Sequence, residues 1–317
     1  MNHIKHGKRT GKLAMLALAP LVVLAGCSND GALVFPGSGG GTGTASGIAY
    51  DGYLVGALVC VDTNLNKNCD SAEPQTLTGP GGTFTIPNLT PADQVYPLVL
   101  ESTTNTYDED NPPPGGPYLG PGLKYLAPGG STSVNALTTV VQSKIEAALA
   151  AGSTATLASL KATAVAQVAT ELGLPGVDVT SFDPIAAKND TGLTNGERRD
   201  AAKLHLVNQV LSEQILAVLP TAEANAVTAG STDTAAFGAL LDNFNVADVA
   251  TAVDTDTAGL TLNQMLVADE TAVTSETTPA APSGAEILAQ EADDATVAAE
   301  IDQEAAAATG ATGGTGV

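Results

Sequence analysis

One stretch of the chain carries residue types at a spacing that could do chemistry. In Asp62-Thr63-Asn64-Leu65-Asn66-Lys67-Asn68-Cys69-Asp70-Ser71-Ala72-Glu73, oxygen-bearing side chains stand at loop positions 1, 3, 5, 9 and 12. Asn68, at position 7, would add its backbone carbonyl. Calcium takes six to eight oxygens, and this spacing wraps a twelve-residue loop around one ion, with Glu73 as the two-toothed closure. The expected ligands are therefore Asp62, Asn64, Asn66, Asn68, Asp70 and Glu73, and the expected cofactor is calcium. One position departs from the pattern. Lys67 occupies position 6, where the sharp turn normally takes glycine, so backbone strain and a nearby positive charge should both weaken binding. With no amphipathic helix flanking the loop, the expected affinity is extracellular in range, roughly 10⁻⁴ to 10⁻³ M. The competing reading is a polar β-hairpin loop that holds no ion.

Cys60 and Cys69 stand at the start and inside of this loop, nine residues apart. In an oxidising compartment they are expected to pair, which would pre-organise the loop in place of the missing glycine. Two buried thiols or a metal pair are the alternatives. Closing a loop of this length would contribute about 2.5–3 kcal/mol on the chain-entropy account.

Other chemistry is poorly supplied. The 317 residues hold 34 acidic and 12 basic side chains, three His and no Trp, for a net charge of −22. A nucleic-acid surface needs clustered Lys and Arg, so that class is excluded. His3 and His6 precede Cys27, which leaves His205 as the one base available for nucleophilic catalysis in a chain processed at Cys27. It lies between Leu204 and Leu206 on a helical stripe and is expected to be a hydrogen-bonded helix residue. Zinc is out of reach for one His and a paired Cys couple. Carboxylate pairs are plentiful, but the helical half offers only Phe182, Phe237 and Phe244 as aromatic platforms. The chain is read as a non-enzyme, with a carboxylate-dependent polysaccharide hydrolase as a minor alternative.

The elements that must position the loop are legible in part. Residues 1–26 read as a signal: Lys5, Lys8, Arg9 and Lys12, then the apolar run Leu13 to Ala25. The following Leu24-Ala25-Gly26-Cys27 resembles the bacterial lipobox. That resemblance implies acyl chains on Cys27, a membrane partner through those chains, and, with Ser28 next, an outer-membrane location whose periplasmic or surface side stays open. Loss of four basic residues would leave 8 basic against 34 acidic, a net of −26. Residues 27–47, rich in Gly, Ser and Thr, read as a flexible tether. Residues 48–127 hold all six Tyr and short apolar runs broken by Gly, Pro and Asn, the pattern of a small β-sandwich. The acids of 107–117 are expected on a solvated loop.

From Ser131 the period turns helical. Stripes run through Leu137, Val140, Val141, Ile145 and Leu149, through Leu157, Leu160, Ala164, Val168 and Leu172, and through Leu204, Val207, Leu211, Ile215 and Val218. Gly173 and Pro175 should stop the second of these helices. Thr194 to Glu197 is a capping box opening the third, and Pro220 should end it. Shorter segments at 235–241, 246–253 and 260–268 complete a bundle over 131–269. Residues 270–317 read as an acidic low-complexity tail, helical over 283–308 on a thin apolar face and disordered in its last nine residues. The expected fold class is α+β, with a small all-β sandwich followed by an Ala-rich helical bundle.

Two further resemblances rest on these segments. Asp51-Gly52-Tyr53-Leu54-Val55-Gly56-Ala57, then Val61 to Asn66, Asp70, Glu73-Pro74, Thr76 and Gly82-Thr83-Phe84-Thr85 resemble the prealbumin-like, or carboxypeptidase-regulatory-like, β modules of bacterial surface proteins. The resemblance implies a scaffold or binding unit whose Asp/Asn loop holds calcium. Leu137-Thr138-Thr139-Val140 and Leu172 to Pro184 resemble the helical segment that follows such modules in proteobacterial lipoproteins. The functional expectation is a lipid-anchored envelope protein that binds, adheres or supports structure, with an unknown envelope protein or surface ligand as partner. The alternative is an accessory lipoprotein serving a secretion or outer-membrane assembly complex from the periplasm.

Overall fold

A computed structural model describes residues 43–310. Cys27, the signal segment, the tether up to residue 42 and residues 311–317 lie outside the described residues.

The fold is α+β, with small sheets first and helices after. β1 (Gly43–Ala49) pairs antiparallel with β5 (Thr83–Leu89) and parallel with β9 (Ser133–Val134). A second sheet has the order β4 (Gln75–Leu77), β3 (Leu58–Val61), β6 (Leu98–Glu101), β8 (Lys124–Ala127), antiparallel throughout. The remaining strands, β2 (Leu54–Val55) and β7 (Tyr107–Asp108), form a two-stranded ladder. Burial follows position in the sheets. β5 is an edge strand that buries Phe84, Ile86 and Leu89 and carries Pro87 without cost to a ladder bond on its outer side. β3 lies second in its sheet and buries Val59, Cys60 and Val61 in a row.

β1 corrects the tether reading, because residues 43–47 belong to a strand. Two of its glycines suggested flexibility, yet a Cβ on Gly47 would stand 2.2 Å from the Thr132 carbonyl oxygen. The glycine is there for close backbone approach: the next residue, Ile48, donates its N–H to that carbonyl.

Eight helices follow among the described residues: α1 (Ala136–Ala150), α2 (Leu157–Glu171), α3 (Pro184–Asn189), α4 (Asn195–Ala229), α5 (Asp233–Leu241), α6 (Val246–Thr257), α7 (Leu262–Leu266) and α8 (Gly284–Ala308). Each begins at an Asn, Thr, Asp or Ser whose side chain accepts an amide of the first turn, at Asn135, Thr156, Asp183, Thr194, Thr232, Asn245, Thr261 and Ser283. The second helix stops at Leu172, before Gly173 in the left-handed conformation.

Pro220 does not end α4, which runs on to Ala229 and stops at Gly230. Proline removes one helical hydrogen bond, but here it faces solvent, while Leu219, Ala222 and Ala226 bury the opposite side. Packing on both flanks of the proline keeps the helix whole.

The acidic tail is also corrected in part, since α8 is a docked helix. It buries Ile287, Val297, Ile301 and Ala305 against α5, α1 and α4. One apolar cluster runs from the sheets through the helices without interruption. The join is made by Leu137-Thr138-Thr139: the Thr138 hydroxyl donates to the Leu126 carbonyl of β8, and Leu126 donates its N–H to the Thr139 hydroxyl. No described helix is long and apolar enough to cross a membrane.

Candidate metal centre

The loop from Asp62 to Glu73 leaves β3 and returns to β4. Val61 donates to the Pro74 carbonyl and Asp62 to that of Pro97, which clamps both roots. Cys60 and Cys69 form a disulfide, with Cα atoms 5.6 Å apart.

Within the loop the side-chain oxygens turn inward onto amides. Asp62 accepts the Asn66 N–H at 3.1 Å and the Lys67 N–H at 2.9 Å. Asn64 accepts the Asn66 N–H at 3.1 Å, and Asn66 that of Asn68 at 2.9 Å. Glu73 closes the ring, taking the Thr63 N–H on Oε1 at 2.8 Å and the Asp70 N–H on Oε2 at 3.0 Å. Across the middle, the amide nitrogens of Asn64 and Asn66 both donate to Asp70 Oδ2, at 2.7 and 2.8 Å. Of the six expected ligands, Asn64, Asn66 and Asp70 meet through their side chains, while Asp62 and Glu73 close onto backbone N–H groups. The sixth, Asn68, directs its side-chain oxygen outward to Lys124 Nζ, so only its backbone carbonyl is left for the loop. Among the described residues no three Asp, Glu, His or Cys side chains converge as a metal cluster. The loop's own donor set is half amide: three carboxylates, two side-chain amides and a carbonyl, all hard oxygens of the kind calcium takes.

The carboxylates sit in unlike settings. Burial pushes the Asp62 carboxyl up to about 7, against the pull of the Lys67 and Asn66 amides. Asp70 is half-buried, and the Asn64 and Asn66 amides hold it below the ordinary carboxylate range.

Lys67 behaves differently from the expectation. Its backbone takes the left-handed conformation that position 6 requires, with φ +55°, and Leu65 does the same at +57°. The backbone holds this conformation, and the ammonium finds its partners outside the loop. The side chain leaves it and inserts between helices, with Nζ 2.8 Å from Asp294 of α8 and 3.3 Å from Glu146 of α1. Burial alone would pull the ammonium down; the two carboxylates hold it above the ordinary lysine value. A further bond runs from Thr234 of α5 to the Asn66 carbonyl at 2.7 Å. The loop is thus plugged into three helices.

A second polar junction, which the sequence reading did not assemble, lies at the Asp51-Gly52-Tyr53 turn. His205 of α4 is buried there; its Nε2 bonds the Asp51 carbonyl, and its Nδ1 lies 2.8 Å from Lys188 Nζ. An ammonium only donates, so Nδ1 accepts and Nε2 carries the hydrogen. Burial, then the Lys188 charge, depress the imidazole to about 3, and burial also lowers Lys188. Asn208 reaches the Tyr50 carbonyl, Tyr53 donates to Asp183 at 2.8 Å, and Tyr125 bonds Ser212 at 2.6 Å. A Cβ on Gly52 would collide with the Asp108 carboxylate, which accepts the Gly52 N–H at 2.8 Å. Asp108 is therefore seated on this turn and is not part of a solvated acidic loop; burial raises its carboxyl. Both imidazole nitrogens are therefore engaged in hydrogen bonds within the fold.

Comparison with known proteins finds no family model, no curated protein and no solved structure that matches this chain.

Proposed function

We propose that the protein is a lipid-anchored component of the bacterial cell envelope, with a calcium-stiffened β region presented as a binding or structural unit, and that it is not an enzyme. Cys27 carries the anchor, and the ion is held by Asp62, Asn64, Asn66, Asp70 and Glu73 with the Asn68 carbonyl. The observation that carries the reading is the backbone at Lys67. A lysine stands in the left-handed conformation that a twelve-residue calcium loop normally gives to glycine, and Asp62 accepts its N–H, closing position 1 onto position 6. A hairpin free to relax would lose little by abandoning two non-glycine residues at positive φ.

The test is the melting temperature of the chain from Ser28 onward, cysteines oxidised, with and without about 2 mM calcium. For a dissociation constant near 0.1 mM the stabilisation is about 1.8 kcal/mol, or roughly 4–7 °C. Asp62→Ala should abolish the shift. A melting curve indifferent to calcium removes the ion from the reading and leaves a disulfide-stapled turn. The anchor is tested separately: labelled palmitate should be incorporated by the full chain and not by Cys27→Ser.

A further inference from the structure

The Asn68 side chain turns away from its own loop, and the register of the neighbouring sheet explains what it meets. Leu58, Glu101 and Lys124 lie in one row across β3, β6 and β8, and Cys60, Val99 and Leu126 lie in the row two residues along. Side chains two residues apart on a strand share a face, so Cys60 stands on the same face as Glu101 and Lys124. The disulfide holds Cys69 beside Cys60, and Cys69 brings its chain neighbour Asn68 over that face. Three groups from separate parts of the sequence then meet. Lys124 Nζ lies 2.5 Å from Asn68 Oδ1 and 3.5 Å from Glu101 Oε1. The Phe237 ring of α5 covers the nitrogen, 5.7 Å from the ring centroid, and only 14% of the Lys124 side chain is exposed.

An amine, a carboxamide and a carboxylate so placed are the parts of a transamidation. A fold that holds amine against carboxamide removes the encounter step, and a carboxylate in reach of the same nitrogen can carry its proton. We infer that Lys124 and Asn68 join in an intramolecular isopeptide bond, with Glu101 as the proton carrier. The Lys124 ammonium gives one proton to Glu101, and the freed Nζ lone pair attacks Asn68 Cγ, one bond beyond the oxygen it faces. A hydrogen bond to Oδ1 does not yet aim at the carbon, so the carboxamide must turn to present its face. The same turn frees Nδ2 from the Asn66 carbonyl, to which it donates at 2.7 Å. The Cγ–Nδ2 bond then breaks. Glu101 returns its proton to the departing nitrogen, which takes a second from Nζ and leaves as ammonium. Nothing is oxidised or reduced, charge is conserved, and the protein is lighter by one ammonia. The product ties the disulfide loop to β8 across β6. It needs no ion, so it goes beyond the calcium reading and does not depend on it.

Peptide mass spectrometry on the full chain tests the bond. After reduction and alkylation, cleavage before aspartate places Asn68 in Asp62–Cys69 and Lys124 in Asp110–Val177. In the wild type these should emerge as one branched species, lighter than the two peptides together by about 17 Da. Lys124→Arg and Asn68→Ala should each release two separate peptides. Glu101→Gln, folded by circular dichroism, should slow formation of the branched species by about 100-fold or more. Two separate wild-type peptides of unaltered mass overturn the inference. Ring closure confined to Asn68 also expels ammonia but leaves the peptides apart, and that result overturns it too. A branched species that forms equally fast in Glu101→Gln overturns the role given to Glu101.

Discussion

Two buried lysines stand at the junctions between the sheets and helices of this protein, and they do so in opposite electrostatic settings. Lys67 reaches two carboxylates, which keep it charged despite its burial. Lys188 meets a neutral imidazole and a carbonyl-anchored turn, and burial there works against its charge. A charge-paired junction depends on both partners staying in place, because removing one leaves the other buried and uncompensated. A junction in which an ammonium donates to a neutral imidazole holds no buried counter-charge to strand, so it tolerates loss of one bond better but resists a second proton. The difference teaches where this fold is sensitive: to substitution at the loop, to acid at the turn.

The same substitution made at both places gives the widest contrast. Lys67→Met should cost about 3–5 kcal/mol, since Glu146 and Asp294 lose their cation, whereas Lys188→Met should cost about 1 kcal/mol. Paired denaturant titrations measure both, and equal costs would break the comparison. Reduction of Cys60–Cys69, or the double serine variant, should remove about 2.5–3 kcal/mol; the loss should fall on the loop junction, with the His205 turn keeping its exchange protection.

Acid provides the next test. His205 has a folded value of about 3 against 6.5 in the unfolded chain. The unfolded chain takes the proton first, so this contribution is complete above about pH 6.5 and declines as pH falls toward 3, by up to about 1.4 kcal/mol per pH unit. Asp62 has the opposite sign in calcium-free solution. Its carboxyl is raised from 3.8 to about 7, so the folded chain takes the proton first and acidification between those values stabilises. Chemical denaturation across pH 4–7 in a chelating buffer should therefore show a steeper loss in Asp62→Asn than in the wild type. A His205→Gln variant should flatten the same profile. The smallest effect is local: Thr194→Ala should cost about 1 kcal/mol by uncapping α4, with neither junction disturbed.

Helix starts were the most legible part of the fold, because a capping side chain and the amide it accepts are three residues apart and need no distant partner. Thr194 with Glu197 illustrates this, as does the apolar stripe from Leu204 to Val218. Pro220 misled for the complementary reason: propensity is local, and the packing of Ala222 and Ala226 that overrides it is not visible in a window of residues. Gly43 to Gly47 misled in the same way, since a glycine needed for close approach to Thr132 looks identical to one needed for slack.

The oxygen spacing from Asp62 to Glu73, the nine-residue step from Cys60 to Cys69 and the surplus of acid after Lys203 are properties of the sequence itself, and the disulfide and the acidic C-terminal helix follow from them. Why position 6 is a lysine was decided only by tertiary structure. Glu146 and Asp294 lie far from Lys67 along the chain, and no local pattern announces that α1 and α8 converge on its side chain while α5 reaches the Asn66 carbonyl beside it. The pairing of His205 with Lys188 and Asp51 is of the same kind. A spacing can be read when all its members lie within one turn of chain; a counter-charge brought in by folding cannot, because Coulomb energy depends on distance in space and the sequence records distance along the backbone.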